Sequence, residues 1–211
     1  MKLDLTGKKA IVTGGGRGLC RSIAEALHDS GAEVILIGSS GSAVKAAEEM
    51  NEYGANVYAV TGNLGDRQEI TSIFNKCMEL FDGRIDILVN GAGVQFRSDA
   101  VDFPAEEWER VISINLSAVF YLSQMVGKVM IEHKYGKIIN IASMLSFQGG
   151  IRVPAYTSSK SAVIRPSRVS CFALNFLFIF NFPFLLLFSV GDTIQYEKSI
   201  AQILKNRNVF Y

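Results

Sequence analysis

The chain has 211 residues and a formal net charge of +1, which suits one domain of ordinary size and, with no long basic run, argues against a nucleic-acid partner; Arg165 and Arg168 read as a solvated face. Its three cysteines (Cys20, Cys77, Cys171) fit neither a disulfide framework nor a zinc site, and His28 and His133 lack clustered partners, so no metal is expected and a reducing cytoplasmic setting is. The first residues, Met1 to Gly16, show no signal-peptide pattern, because their apolar stretch is short and bounded by charges and glycines.

From Lys8 to about Ala142 two kinds of segment alternate. Short apolar runs predict buried strands at Ala10–Thr13, Glu33–Ile37, Asn56–Thr61, Ile85–Asn90 and Lys137–Ala142. Helix-period segments lie between them at Gly18–Ser30, Ser42–Tyr53, Arg67–Phe81 and Ala105–His133. Strands apolar on both faces and separated by helices imply right-handed crossovers and a parallel sheet. The expected fold is α/β: a Rossmann-like, doubly wound parallel sheet in a single domain, with ligands at the carboxyl ends of the strands. Residues 1–164 read as a dinucleotide-binding catalytic domain, and 165–211 as an atypical Phe-rich tail.

The first strand runs directly into Gly14-Gly15-Gly16-Arg17-Gly18-Leu19 and then a helix. Glycines there allow a tight turn and let backbone approach a pyrophosphate, while the free amides and dipole of the helix attract its charge. The second strand ends in Ile37-Gly38-Ser39-Ser40, without the carboxylate that would bond a ribose 2′-hydroxyl and repel a 2′-phosphate. Arg17 with Ser39 or Ser40 could hold that phosphate. The cofactor is therefore NADP or NAD, with a lean to NADP.

Tyr156 and Lys160 are four apart and share a face of a predicted helix. A free phenol titrates near pH 10, and an adjacent ammonium favours its ionised form, so such a pair can exchange a proton with an alcohol or carbonyl. Ser143 follows the strand Lys137–Ala142, and Asn115 lies in the long helix before it.

Thr13-Gly14-xxx-Gly18, Asn90-Gly91-Ala92-Gly93, Asn115, Ser143 and Tyr156-xxx-Lys160, in this order and at these spacings, resemble the short-chain dehydrogenase/reductases. The resemblance covers Leu5 to about Ile164. It implies that Tyr156 is the general acid/base and that Lys160 binds the nicotinamide ribose and supports the Tyr156 phenolate. It further implies that Ser143 bonds the reacting oxygen and that Asn115 holds a proton-relaying water. The implied dinucleotide site comprises Gly14, Gly16, Arg17, Gly18, Leu19, Ser39, Asn63, Leu64, Asn90, Gly91, Ala92, Tyr156 and Lys160. The stretch from Gly136 to Tyr156 resembles the branch of 2-dehydro-3-deoxy-D-gluconate and gluconate 5-dehydrogenases, which interconvert a secondary alcohol and a ketone on a sugar acid. Gln148 could bond substrate hydroxyls, and Arg152 or Arg97 could pair a carboxylate. The same catalytic set also serves 3-oxoacyl thioester reductases.

Departures from the family pattern carry expectations of their own. Cys20 stands where the family has its third glycine, and its side chain should push the first helix outward and weaken dinucleotide binding; it reads as packing rather than redox. Gly91 replaces the second asparagine of Asn-Asn-Ala-Gly, losing an amide that would brace neighbouring strands. Asn63 replaces the aspartate after the third strand. Pro166 should stop or kink the Tyr156–Lys160 helix, and no sixth strand of the family's kind is recognisable beyond it. Val169–Val190 instead holds seven of the fourteen phenylalanines. This segment is long enough to span a membrane, apolar enough to fold back over the sheet edge, and abrupt enough to be aberrant sequence, the last being favoured by the sudden change of composition. Asp192–Arg207 faintly resembles the family's substrate-lid region. Loss of the sixth strand would expose the sheet and leave an inactive dinucleotide-binding fragment. The family's tetramers form through two long central helices, and shortening the second argues against assembly here.

Overall fold

The computed structural model describes residues 4–52 and 54–164, together with the backbone of two strands at 175–180 and 187–189. Apolar runs that need burial on both faces form the central strands. β1 (Lys9–Thr13), β2 (Glu33–Gly38), β3 (Val57–Thr61), β4 (Ile87–Asn90) and β5 (Lys137–Ala142) alternate with α1 (Gly18–Asp29), α2 (Ser42–Asn51), α3 (Arg67–Leu80), α4 (Ala105–Ile112), α5 (Ala118–Glu132) and α6 (Pro154–Val163). β6 (Asn175–Phe180) and β7 (Leu187–Ser189) complete the sheet, in the order β3-β2-β1-β4-β5-β6-β7.

The sheet has one apolar layer on each face, and alternation along each strand assigns residues to them. Ala10, Val12, Val34, Leu36, Ile87, Val89, Ile139 and Ile141 pack with Ile23, Ala24 and Leu27 of α1 and with Ala43, Ala46 and Met50 of α2. Ile11, Ile35, Ile37, Leu88 and Ile138 face the other way, against Ile70, Ile73 and Cys77 of α3 and Leu122, Val126 and Met130 of α5. Burying each such Ile or Leu side chain contributes about 2 kcal/mol. His28 and His133 face the backbone carbonyls of Ala55 and Gly83 at 3.1 and 3.2 Å.

β1 to β6 pair in parallel. The strand order turns back between β1 and β4, and the resulting crevice opens where both strands end.

Several sequence expectations need correction. A sixth strand exists: all six of its residues pair with β5, from Lys137 against Asn175 to Ala142 against Phe180. It is built from an apolar run without the family's expected signature. β7 runs antiparallel to β6, because the six residues between them are too few for the crossover that a parallel pair requires. Where the Phe-rich segment is described it is therefore strand. α6 ends at Val163, and Pro166 and Asp192–Arg207 lie outside the described residues. The single helix expected over 105–133 is broken by a π-helical turn at Ser113–Ser117, a device common at functional positions. Among the described residues this 105–132 stretch is the one helix long and apolar enough to cross a membrane, yet its apolar stripe, from Val111 to Met130, is buried within the fold.

Candidate active site

At the switch point lies a cleft of about 490 Å³. Gly14, Gly16, Arg17, Gly18, Leu19, Ser39, Asn63, Leu64, Gly91 and Ala92 line it, joined by Ser40, Ser42, Gly93, Val94 and Ile141. Two of the loop glycines answer close contacts. Gly14 has φ +73°, and a Cβ there would meet Ala92 Cα at 3.0 Å. A Cβ on Gly16 would come within 2.6 Å of Ser42 Oγ. Backbone thus forms the floor, and α1 begins after an extended Arg17 with no side chain capping its first amides. Those amides point their unmet donor capacity and the positive end of the helix dipole into the cleft.

At the adenosine end the exposed Ser39, Ser40 and Ser42 gather, with Ser40 and Ser42 hydroxyls 3.0 Å apart. Ser42, at the start of α2, is a residue that sequence reasoning passed over. Among the described residues no acidic side chain lines this end of the cleft. Arg17 is exposed and forms no ion pair among the described residues. Asn63 is held by two bonds: its backbone N–H donates to Glu69 Oε2 at 2.7 Å, and its side-chain Oδ1 accepts from Gly65 N at 2.9 Å.

Asn90 does not line the cleft. It is 3% exposed, and its amide donates to Asn140 Oδ1 at 2.9 Å and Ser123 Oγ at 3.1 Å, tying β4 to β5 and α5. The strand brace expected to be lost at Gly91 is thus supplied from position 90. Thr13 Oγ1 accepts from both Gly91 N and Ala92 N, at 2.9 and 3.0 Å, and so ties the β4 loop to β1. Cys20 is buried among the cluster shared by α1, β1 and β5, in space that the bare Gly91 leaves open.

None of the four catalytic candidates lines the cleft, but hydrogen bonds and one ring contact link them beyond this loop. Lys160 is 4% exposed, donates to the Ile141 carbonyl at 2.7 Å, and lies 5.9 Å from the centre of the Tyr156 ring. Burial pulls its ammonium down to about 8, while the nearby Cys20 sulfur acts weakly in the opposite sense. Ser143 caps a 3-10 turn at Met144–Ser146: its Oγ accepts from Leu145 N at 3.2 Å, which leaves the hydroxyl proton free to donate. Ser146 accepts from Ser143 N and donates to the Lys160 carbonyl, joining the Ser143 turn to α6. Asn115 is fully buried. Its amide donates to Val94 O and Ser159 Oγ, and its Oδ1 accepts from Val94 N. Ser159 in turn donates to the Tyr156 carbonyl. Ser146 and Ser159 escaped the sequence reading, because a lone serine carries no signal until its neighbours are known.

The substrate candidates are exposed and do not line the cleft. Arg152, with φ +61°, pairs with Asp99 at 3.0 Å, and its carbonyl accepts from Ser98 N. The loop around 98 is therefore stitched to the loop around 152. Arg97, one residue from the stitch, is exposed and has no ion pair among the described residues. Gln148 is exposed as well.

Residues 8–175 match the family model described as short chain dehydrogenase. The chain belongs to the short-chain dehydrogenase family. It is similar to the 2-dehydro-3-deoxy-D-gluconate 5-dehydrogenase of Bacillus subtilis, 46% identical over 161 residues, which span 76% of this chain and 62% of that protein. It is also similar to a 3-oxoacyl-[acyl-carrier-protein] reductase of Aquifex aeolicus, 38% identical over 78% of this chain and 66% of the relative. A crystal structure of a gluconate 5-dehydrogenase from Burkholderia cenocepacia in complex with NADP and tartrate superimposes with a TM-score of 0.70 at 30% identity, over 77% of this chain and 64% of that one. The chain thus spans less than two thirds of the length of the Bacillus relative.

Proposed function

We propose that this chain is an NADP-dependent oxidoreductase that interconverts a secondary alcohol and a ketone on a sugar acid. The observation that carries the reading is a tie between two features: a cleft floored by glycine backbone, and the Tyr156–Lys160 helix, whose Lys160 bonds the carbonyl of the cleft-lining Ile141. The residues fit the cofactor. The α1 amides suit a pyrophosphate, and Arg17 with Ser39, Ser40 and Ser42 suits a 2′-phosphate with no carboxylate opposing it. When bound, the nicotinamide supplies or accepts the hydride.

The protein's own groups handle the proton. In the reducing direction Tyr156 gives its hydroxyl proton to the carbonyl oxygen as that oxygen gains charge. Ser143 donates a hydrogen bond to the same oxygen. The Lys160 ammonium stabilises the resulting phenolate, and protons return to Tyr156 from its side. A Cβ on Gly93 would lie 3.4 Å from Asn115 Oδ1 and 3.9 Å from Lys160 Nζ, so the room beside Gly93 borders an acceptor and a donor suited to a relay water. Arg97, exposed and without an ion pair among the described residues, is the better candidate for a substrate carboxylate, whereas Arg152 already faces Asp99. The free, buried thiols of Cys20 and Cys77 agree with a cytoplasmic setting.

A substrate panel tests this reading. NADPH consumption is followed with 5-dehydro-D-gluconate, 2,5-diketo-3-deoxy-gluconate and a 3-oxoacyl thioester. The reading expects kcat/KM to favour a sugar acid by about tenfold or more, the worth of one good carboxylate contact. Preference for the thioester would transfer the site to acyl substrates. Binding of NADPH without turnover of any ketone would mark an inactive dinucleotide-binding fragment.

A further inference from the structure

Two departures from the family's usual residues meet at the floor of the cleft. Cys20 is the third residue of α1, and Gly91 follows the last residue of β4. A Cβ placed on Gly91 would collide with Cys20 Sγ, while lying 3.2 Å from both Ile141 Cγ1 and the Thr13 carbonyl oxygen. Cys20 is only 7% exposed, and both residues line the cleft with Ile141. One pocket of space therefore admits either a side chain at 91 or a sulfur at 20. Each residue alone looks like a loss, and together they fill the volume once.

The same spot borders the machinery. Thr13 Oγ1 holds Gly91 N and Ala92 N on one side, and Ile141 offers its carbonyl to Lys160 on the other. We propose that Cys20 is a positioning residue: its Sγ, seated in the space opened by Gly91, sets where the Gly91–Gly93 backbone lies along the dinucleotide cleft. The inference rests on the proposed NADP-binding role of that cleft. The thiol acts by its volume and undergoes no redox step. Burial pushes the Cys20 thiol up, which keeps it neutral and suited to that packing role.

A double-variant cycle tests the pairing, read as the dissociation constant for NADPH by its fluorescence and as Tm. Binding is measured at a temperature where circular dichroism shows every variant folded. Cys20→Ala leaves a void and is expected to weaken NADPH by about threefold, and Gly91→Ala, blocked by the sulfur, by about tenfold or more. Cys20→Ala/Gly91→Ala is expected to return to within about threefold of wild type, because the alanine methyl at 91 enters the vacated space. Cys20→Ser/Gly91→Ala should stay weak, since the Oγ still obstructs. Additive losses in the alanine pair would overturn the inference. Recovery of Tm with no change in NADPH affinity across the set would overturn the positioning role. Failure of the wild type to bind NADPH would instead sink the proposed function, and the Tm cycle would then decide the packing pair by itself.

Discussion

Lys160 Nζ donates a 2.7 Å hydrogen bond to the carbonyl oxygen of Ile141, which tethers the ammonium of α6 to the carboxyl end of β5. Ile141 also lines the cleft, so one contact links the helix that carries Tyr156 to the sheet that carries the dinucleotide floor. With one donor spent on Ile141, two remain for the ribose and phenolate roles proposed for this ammonium.

Because burial holds Lys160 down to about 8, the residue is charged below that pH and neutral above it. A mechanism that uses the ammonium should therefore lose kcat/KM with NADPH as pH rises through about 8. Lys160→Met should lose turnover by about 10²-fold or more and show no alkaline limb of this origin. An unchanged limb in the variant would assign it elsewhere.

Asn115 joins α4 and α5 to the β4 loop through both Val94 backbone groups and to α6 through Ser159. Asn115→Ala would leave the half-buried Val94 N–H without this partner and remove three bonds. Urea denaturation should show a loss of about 2 to 3 kcal/mol, and turnover should fall alongside it. A loss below about 0.5 kcal/mol would mean that water replaces the amide without cost.

Arg152 is engaged by Asp99 and Arg97 is not paired among the described residues. Arg97→Ala is expected to raise KM for a sugar acid about tenfold while leaving a neutral ketone unchanged, and Arg152→Ala is expected to do less. The reverse ranking would mean that substrate displaces Asp99 and takes Arg152.

Stability at alkaline pH should report on Cys77, which is fully buried and whose thiol is pushed up to about 12. An unfolded thiol ionises near pH 8.5. Below that pH both states hold the proton and the contribution is fully present; between about 8.5 and 12 the unfolded chain releases it and the folded chain does not. Unfolding free energy should thus fall more steeply with pH in the wild type than in Cys77→Ala, by up to about 1.4 kcal/mol per pH unit between 9 and 11. Parallel slopes would contradict this.

How much of this was legible in the sequence depended on whether the signal was local. Lys137–Ala142 is found to the residue, because all six positions are buried and the run shows no polar face. Ile85 and Asp86 were read as strand but precede it: both are buried, yet the β4 ladder starts at Ile87. Ser30, Phe81 and His133 were read as helix ends and prove to be cap residues. The π turn around Asn115 left no trace, since one slipped hydrogen bond scarcely disturbs the apolar period. β6 was missed because a family signature was sought where the plain apolar run Asn175–Phe180 carried the strand. Of the site, the glycine loop and the Tyr156–Lys160 pair were legible from spacing. Asp99 against Arg152, Ser159 against Asn115 and Cys20 against Gly91 were not, because each pair is distant in sequence and meets only through the crossovers.

The central claim is that Tyr156 is the proton donor at an NADP site. Its most direct measurement is the single-turnover oxidation of prebound NADPH by 5-dehydro-D-gluconate, followed at 340 nm in the wild type and in Tyr156→Phe. The account predicts equal NADPH affinity in the two proteins and a rate about 10²-fold or more slower without the hydroxyl. Equal rates, with NADPH bound in both, would contradict it.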